Sequence, residues 1–251
     1  TARFNDLVSV DDLINKNRDQ VAAIIVEPVA GNMGCVLPAG GFLQGLRKLS
    51  DEHGIVLIFD EVMTGFRLSP GGAQELYQVK PDLTTLGKII GGGMPVGAYG
   101  GSRKIMEYVS PSGPVYQAGT LSGNPMAMHA GYVVLQYLQK NPSIYDALHQ
   151  KSTAICTGIK ENLEKLSLDY TINQAGSMFT LFFNGNPVEN FDDARKSDLK
   201  SFGKYFNIML GQGIYLAPSQ FEALFVSNSV EQYEIDRIVD ASLFALKEVV
   251  E

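Results

Sequence analysis

Uninterrupted apolar runs alternate with helical spacing in the first part of the chain. Residues 21–26 form an apolar run closed by Glu27 and Pro28, which is typical of a strand buried on both faces of a parallel sheet. Residues 41–53 repeat apolar side chains at helical spacing, and Gly54 follows where a helix would end. Residues 55–59 are the next apolar run. The order strand, helix, strand predicts a right-handed crossover between parallel strands.

The chain then continues with shorter elements and one clear helix start. Residues 83–86 and 96–99 are short strand candidates on either side of a glycine-rich turn. Asn124-Pro125 opens a predicted helix to about residue 139, with proline in the first turn, where its missing N–H does no harm. Asn141-Pro142-Ser143 resembles a domain boundary. We therefore predict a first domain over residues 1–140, an α/β domain with a mostly parallel sheet flanked by helices.

The character of the chain changes after residue 140. Strands grouped between flanking helices predict a small α+β domain over residues 141–251. In chain order, the pattern predicts a helix at 144–165, strands at 170–172 and 179–183, a polar loop at 184–193, a helix to about 210, strands at 213–216 and 224–226, and a helix at about 231–249.

Composition excludes several classes of partner. The 251 residues are 45% hydrophobic, with a net charge of -7 and no run of Lys or Arg, so nucleic-acid binding has no electrostatic support. No apolar run approaches the ~20 residues that a membrane-spanning helix needs, and no signal peptide is recognisable. We expect neither nucleic acid nor membrane as a partner.

The cysteines and histidines point to no disulfide or metal site. The two cysteines, Cys35 and Cys156, lie far apart, which favours free thiols in a reducing compartment. The three histidines have no metal-ligand spacing. We expect a cytoplasmic protein in a bacterium, or a protein of the plastid stroma in a plant or alga, with no bound metal.

Lys88 stands out because of its neighbours. It follows the strand candidate at 83–86 and precedes Gly91-Gly92-Gly93, a position where we expect a lysine shielded from solvent. A buried lysine is costly unless it is paired or used chemically. One use is a Schiff base to an aldehyde cofactor, with Asp60, at the end of the strand at 55–59, beside a cationic ring nitrogen. A structural or surface lysine and a helix-capping or surface Asp60 are the alternatives.

Three further features near Lys88 are ambiguous when each is considered alone. Val62 lies two residues after Asp60, so it packs either on a cofactor ring or in the core. Residues 119–125, Gly-Thr-Leu-Ser-Gly-Asn-Pro, join hydroxyls to a helix start, which suits either a phosphate site or a helix cap. Gly91-Gly92-Gly93 matches no nucleotide-binding motif and is interpreted as a turn with close backbone approach.

Taken together, these motifs resemble a known family. Val26-Glu27-Pro28, the stretch Phe59-Asp60-Glu61-Val62-Met63-Thr64-Gly65-Phe66-Arg67, Pro81-Asp82-Leu83 with Gly87-Lys88, and Gly119-Thr120 resemble the class III (subgroup II) aminotransferases of pyridoxal 5'-phosphate (PLP) fold type I. The resemblance covers essentially residues 1–251. Within the family, residues 84–93, 117–125 and 213–222 are most similar to an aminomutase branch, which moves an amino group within one small amino-aldehyde substrate.

The resemblance implies a role for each matching residue. Lys88 would bind the aldehyde of PLP, alternating with pyridoxamine 5'-phosphate, and Asp60 would pair with the pyridine nitrogen. Val62 would pack on the ring. Thr120 would reach the cofactor phosphate of the neighbouring subunit, so that the active form would be a homodimer with a shared site, and Gly119 beside it would also bind the cofactor.

Two positions favour a mutase over a transaminase. Asn32 stands where many relatives carry a glutamate, and the region of Phe221 and Glu222 lacks their carboxylate-binding arginine. An acid there opposes binding of an amino-acid carboxylate and attracts a cationic amine. Asn32 and Glu222 are therefore candidate substrate-binding residues, although Glu222 is also compatible with an ordinary surface loop.

Two alternatives to the mutase stay open. One is an ω- or acetylornithine-type aminotransferase of the same family, and the other is a non-catalytic, PLP-sensing domain of a transcription regulator. The resemblance also implies an amino-terminal portion, with a phosphate cradle and a gating loop, that is not found in these 251 residues. We expect the chain to hold the lysine half of an active site and to be inactive by itself.

Overall fold

The computed structural model describes all residues from Thr1 to Glu251, and they form two compact units. The first unit comprises Thr1–Ala2, Asp6–Pro28 and Gly40–Pro142. The second comprises Arg3–Asn5, Val29–Ala39 and Ser143–Glu251. Two short segments that precede residue 140, Arg3–Asn5 and Val29–Ala39, thus belong to the second unit. The predicted division into residues 1–140 and 141–251 does not include this exchange.

A four-stranded mixed sheet forms the centre of the first unit, in the order β1-β2-β3-β4. The first three strands, β1 (Ala23–Val26), β2 (Val56–Asp60) and β3 (Leu83–Leu86), are parallel. The fourth, β4 (Ala98–Gly101), returns antiparallel to β3 and lies two residues later than predicted. The predicted parallel crossover and the mostly parallel sheet are confirmed.

One prediction for this sheet is wrong: β1 is not buried on both faces. Ile25 is 63% exposed, whereas Leu57 and Phe59 of β2 are fully buried. Burial alternates along β1, so that the face carrying Ala23 and Ile25 is left uncovered within this chain while the face carrying Ile24 and Val26 is half-buried. An apolar run shows that a strand is hydrophobic, but it does not show on how many sides the strand is covered.

Five helices accompany the sheet. Helix α2 ends as predicted at Gly54, which adopts a left-handed conformation with φ of 65°. Helix α5 begins at Pro125, and the side chain of Asn124 accepts hydrogen bonds from the amides of its first turn. Three of them, α1, α3 and α4, were not predicted from the sequence. The five helices are α1 (Leu7–Lys16), α2 (Phe42–His53), α3 (Gly72–Leu76), α4 (Arg103–Met106) and α5 (Pro125–Lys140).

The second unit is a three-stranded antiparallel sheet with four helices. The strands are β5 (Thr171–Ala175), β6 (Met178–Phe182) and β7 (Leu224–Phe225). Side chains of β6 and of the helices form its core, in which Met209, Ala245 and Leu246 are fully buried. The helices are α6 (Ile144–Lys165), α7 (Phe191–Ala194), α8 (Leu199–Gly211) and α9 (Gln232–Val250). The predicted long first helix and last helix are confirmed.

Residues 213–216, which were predicted as a strand, form no strand. Gly213 has φ of 79°, and the amide of Ile214 donates to the carbonyl of Met209 at 2.9 Å. The segment therefore closes the end of α8 instead of pairing with a neighbouring strand. The apolar side chains of this segment still pack against the core, since Ile214 and Leu216 border it.

Both cysteines are free and buried in the second unit. Burial raises the pKa of the Cys35 thiol to about 12, and its amide donates to the hydroxyl of Thr180 at 2.9 Å. Burial likewise raises the pKa of Cys156 to about 11. Both thiols are thus protonated at neutral pH. None of the helices combines the length and the hydropathy that crossing a membrane requires.

Candidate active site

Asp60 is the last residue of β2, where its carboxylate is held by two donors. Its Oδ1 accepts a hydrogen bond from the amide of Val62 at 3.1 Å and another from the hydroxyl of Thr85 at 3.2 Å. Thr85 lies opposite Asp60 in the parallel register of β2 and β3. Both bonds reach the same oxygen, so Oδ2 is available to a further donor.

Val62 links Asp60 to the segment that carries Lys88. Its side chain packs against the backbone of Gly87, where an added Cβ would lie 3.2 Å from Cγ1 of Val62 and 3.5 Å from the carbonyl of Val96. The absence of a side chain at Gly87 therefore lets its backbone approach Val62 closely. The structure brings Asp60, Val62 and the backbone next to Lys88 into one neighbourhood at the carboxyl ends of β2 and β3.

Lys88 opens a short 3-10 turn, Lys88–Gly91, and its own backbone is left-handed, with φ of 48°. The side chain is exposed, whereas Gly91 is buried. The expectation that Lys88 is shielded from solvent is therefore wrong for this chain. The turn is buried through its glycine-rich backbone, and the side chain of Lys88 is left exposed to solvent.

Helix α5 supports this turn from behind. An added Cβ on Gly131 would lie 2.1 Å from the carbonyl oxygen of Ile90, and one on Gly92 would lie 2.6 Å from that of Ala130. Only glycines allow the turn and the helix to approach so closely. The interpretation of Gly91-Gly92-Gly93 as a turn with close backbone approach is consistent with this contact.

Glu61, next to Asp60, is fully buried and anchors the loop that follows β2. Its Oε2 accepts hydrogen bonds from the hydroxyl of Thr64 at 2.9 Å and from the amide of Ala73 at 2.6 Å. Its Oε1 accepts from the amide and from the side chain of Gln74, both at 3.0 Å. The carboxylate closes the loop from β2 to α3 and so holds the end of β2 in place.

Gly119 and Thr120 are exposed and lie in the turn before α5. The carbonyl of Gly119 accepts from the amide of Ser122 at 3.0 Å. No hydrogen bond joins either residue to Asp60, Val62 or Lys88 within the chain. The expectation that Thr120 reaches the cofactor of a neighbouring subunit stays a prediction.

The backbone segments that carry Asn32 and Glu222 lie side by side in the second unit, although 190 positions separate the two residues in the sequence. The amide of Gly34 donates to the carbonyl of Phe221 at 2.8 Å, and the amide of Ala223 donates to the carbonyl of Gly31 at 3.2 Å. These two bonds flank the pair, and both residues are exposed. The structure thus joins the two segments that the sequence analysis selected for substrate binding.

Sequence reasoning missed three residues that support the site: Thr85, Glu61 and Gly131. Thr85 is found only from the register of β2 and β3, which no local pattern reveals. Glu61 was part of a quoted motif, but its burial depends on the loop that returns to α3. Gly131 shows a signal in hindsight, since a glycine in a helix interior often has a packing reason.

A match to a protein family accompanies this geometry. Residues 4–241 match the family described as aminotransferase class-III. One relative, glutamate-1-semialdehyde 2,1-aminomutase of Cytophaga hutchinsonii, is 57% identical over 249 residues. That alignment covers 99% of this chain but 58% of the relative, so the chain spans little more than half of that protein.

Solved structures have the same fold. An omega-transaminase from Sphaerobacter thermophilus is 34% identical, with a TM-score of 0.89 over 99% of this chain and 57% of that chain. A transaminase with PLP bound is 26% identical, with a TM-score of 0.86 over 98% of this chain and 57% of that chain. Because the family match extends over nearly the whole sequence, this chain belongs to the class-III aminotransferases.

Proposed function

We propose that the protein containing this chain is a PLP-dependent glutamate-1-semialdehyde 2,1-aminomutase. It would move the amino group of its substrate from C2 to C1, giving 5-aminolevulinate for tetrapyrrole (porphyrin) synthesis. The observation that carries the proposal is the 57% identity to an aminomutase over 99% of the chain. The neighbouring positions of Asn32 and Glu222 support it from the geometry.

The residues at the end of β2 fit a pyridine cofactor. The Asp60 carboxylate has one oxygen held by two donors and the other available. The Val62 side chain, two residues after Asp60, packs on the backbone of Gly87, where an added Cβ would lie 3.2 Å from Cγ1 of Val62. A flat ring needs such an apolar wall, and a ring N–H needs such an acceptor.

Bound PLP supplies an electron sink, which makes a proton on the adjacent substrate carbon removable. Asp60 would keep the ring nitrogen protonated by accepting its N–H. Val62 would hold one ring face and exclude water from it. The amine of Lys88 would bind the cofactor aldehyde and, when released, move protons between cofactor and substrate carbons as a general acid and base.

Asn32 and Glu222 would select the reaction. A transaminase takes up and releases an amino-acid carboxylate beside the cofactor, and the anionic Glu222 would oppose that step. A mutase instead retains the diamine, 4,5-diaminovalerate, until its second nitrogen has reacted. Glu222 would attract the cationic amine, and retention raises the effective concentration of the amine at the site.

An ω-transaminase is the second candidate, favoured by the 34% identity to the Sphaerobacter enzyme. Asn32 and Glu222 speak against it, as does the higher identity to the aminomutase. A PLP-sensing regulator is the more remote alternative. It has no support from charge, since the net charge of -7 is wrong for a nucleic-acid-binding chain.

The arrangement of the whole protein is part of the proposal. We assign the first unit to the large cofactor domain and the second unit to the small domain. Thr120 and Gly119 would bind the phosphate held by a partner subunit, so the active form would be a homodimer. Free, buried cysteines agree with a reducing compartment such as the cytoplasm.

The test uses the full-length protein as its source organism encodes it. Incubation with glutamate-1-semialdehyde is expected to yield 5-aminolevulinate, which is quantified after condensation to a pyrrole. The variant Lys88→Ala is expected to lose this activity. After borohydride reduction, the peptide that contains position 88 should carry the added mass of the cofactor in the wild type but not in this variant. The variant Lys80→Ala, in a loop of the same unit, is the matched control and should retain both.

A second assay separates the mutase from the transaminase. Brisk exchange between an amine donor and 2-oxoglutarate, without 5-aminolevulinate formation, would contradict the mutase in favour of the transaminase. An unmodified Lys88 in the reconstituted protein would count against both enzymes.

A further inference from the structure

The carboxylate of Asp60 is fixed from one side only. The amide of Val62 and the hydroxyl of Thr85 both donate to Oδ1, at 3.1 and 3.2 Å. Rotation of the carboxylate about its Cβ–Cγ bond would break both bonds. Two donors on one oxygen therefore define which way the second oxygen points.

Thr85 is itself tied to the end of β2. It lies opposite Asp60 in the register of the parallel strands, and its carbonyl accepts a hydrogen bond from the amide of Glu61 at 3.0 Å. The buried carboxylate of Glu61 in turn holds the loop that follows. The hydroxyl of Thr85 is thus carried by a rigid strand and not by a mobile loop.

We infer that Thr85 is a positioning residue, which directs Oδ2 of Asp60 toward the ring nitrogen of the bound cofactor. The inference rests on the proposed function because it requires a pyridine cofactor, but it holds equally for a mutase and for a transaminase. Thr85 does not touch the cofactor in this assignment. It acts through Asp60, by keeping the acceptor aligned with the ring N–H.

The chain offers a matched set of variants. Thr85→Val removes the hydroxyl but keeps the β-branched shape that suits a strand. Thr85→Ser keeps the hydroxyl and is the rescue variant. Thr84→Val removes the neighbouring hydroxyl, which points to the other face of β3 and accepts from Gln74 Nε2 at 3.3 Å.

The experiment uses the full-length holoenzyme, reconstituted with PLP that carries ¹⁵N in its ring. The ring-nitrogen resonance is recorded against pH, and the dissociation constant of PLP is measured by equilibrium dialysis. In Thr85→Val, the ring nitrogen is expected to lose its proton at lower pH than in the wild type. The dissociation constant of PLP is expected to rise about tenfold, which corresponds to the loss of one hydrogen bond to a charged group. Thr85→Ser and Thr84→Val are expected to behave as the wild type.

Wild-type behaviour of Thr85→Val in both measurements would overturn the inference. So would equal effects of Thr84→Val and Thr85→Val, since these would reflect the strand and not the hydroxyl. If the wild type binds PLP but forms no 5-aminolevulinate, the proposed mutase fails while the role of Thr85 is still measured. If the wild type binds no PLP, both proposals fail.

Discussion

At the scale of single residues, the end of β2 combines two carboxylates with opposite environments. Asp60 is partly accessible and has one oxygen available, whereas Glu61 is fully buried with both oxygens bonded. A fully satisfied buried carboxylate holds structure, since each donor aimed at it would be left unpaired without it. The two adjacent acids therefore have different roles: Asp60 is a candidate cofactor-binding residue, and Glu61 anchors the loop that follows β2.

Replacing Glu61 by Gln tests the anchoring residue. One carboxylate oxygen becomes an NH₂ group that faces the N–H and O–H donors of Thr64, Ala73 and Gln74. We expect the variant to lose about 1–3 kcal/mol of unfolding free energy, the cost of leaving buried donors unpaired. Urea unfolding followed by circular dichroism measures the loss.

The control for this substitution is Glu52→Gln. Glu52 lies on α2 and is exposed, with an ion pair to Lys48 at 3.7 Å. Exposed pairs of this kind contribute ~0–1 kcal/mol, so the control should unfold close to the wild type. Equal stability of Glu61→Gln and the wild type would show that the loop after β2 does not depend on the carboxylate.

At the scale of elements, the Lys88 turn and α5 act as one packed pair. Gly131 meets the backbone of Ile90, and Gly92 meets that of Ala130. The three residues after Ile90 are glycines, so they have no side chains that could hold the turn in place without this contact. The direction of the Lys88 backbone therefore depends on the helix behind it.

Gly131→Ala is expected to displace the Lys88 turn. The added methyl group would lie 2.1 Å from the carbonyl oxygen of Ile90, so the turn or the helix must move. We expect a loss of stability of about 1–3 kcal/mol, as for overpacked sites, and a reduced fraction of covalently bound cofactor in the full-length protein. Thermal unfolding and mass spectrometry after borohydride reduction provide the two readouts.

Gly203→Ala provides the matched control in α8. An added Cβ there meets nothing within 4 Å, so the change should stabilise the helix by about 0.5–1 kcal/mol. Normal cofactor attachment in Gly131→Ala would contradict the coupling between α5 and the Lys88 turn.

Local sequence patterns predicted most elements but not all of their surroundings. Gly54 and Asn124-Pro125 marked helix ends correctly, because capping depends on residues close in sequence. Residues 213–216 were mistaken for a strand, since an apolar run does not reveal whether a partner strand is available. The burial of β1 was overestimated because an apolar run does not reveal which faces of a strand are covered: Ile25 is apolar, but it lies on the uncovered face of β1.

At the scale of the whole molecule, the exposed apolar side chains are unevenly distributed. Half of the large ones lie between residues 94 and 137, in the first unit. Contiguous exposed apolar patches mark interaction surfaces, and we expect one in this part of the chain. A partner subunit is the occupant that the proposed homodimer requires. Met126, in the first turn of α5, is 67% exposed.

Met126→Glu is expected to weaken self-association of the full-length protein at least tenfold, because it places a charge in an apolar interface. An acid in the first turn of a helix favours that helix, so the fold of α5 should be retained. Sedimentation velocity over a range of protein concentrations measures the dissociation constant of the dimer.

Leu199→Glu is the matched control for that measurement. Leu199 is likewise apolar, 52% exposed and in the first turn of a helix, α8. It belongs to the second unit, whereas residues 94–137 belong to the first. Unchanged association of Met126→Glu, or equal weakening by both variants, would count against α5 as part of the dimer interface.

The sequence by itself determined the local features of this protein: the helix ends, the strand that terminates in Asp60, the motif around Lys88 and the family to which they point. These depend on neighbouring residues, so short-range patterns encode them. Only the tertiary structure decided that Thr85 bonds Asp60, that Glu222 lies beside Asn32, and that Lys88 is exposed. The first two depend on pairing between distant segments, and the third on the packing of a glycine-rich turn against α5. No pattern within one segment contains that information.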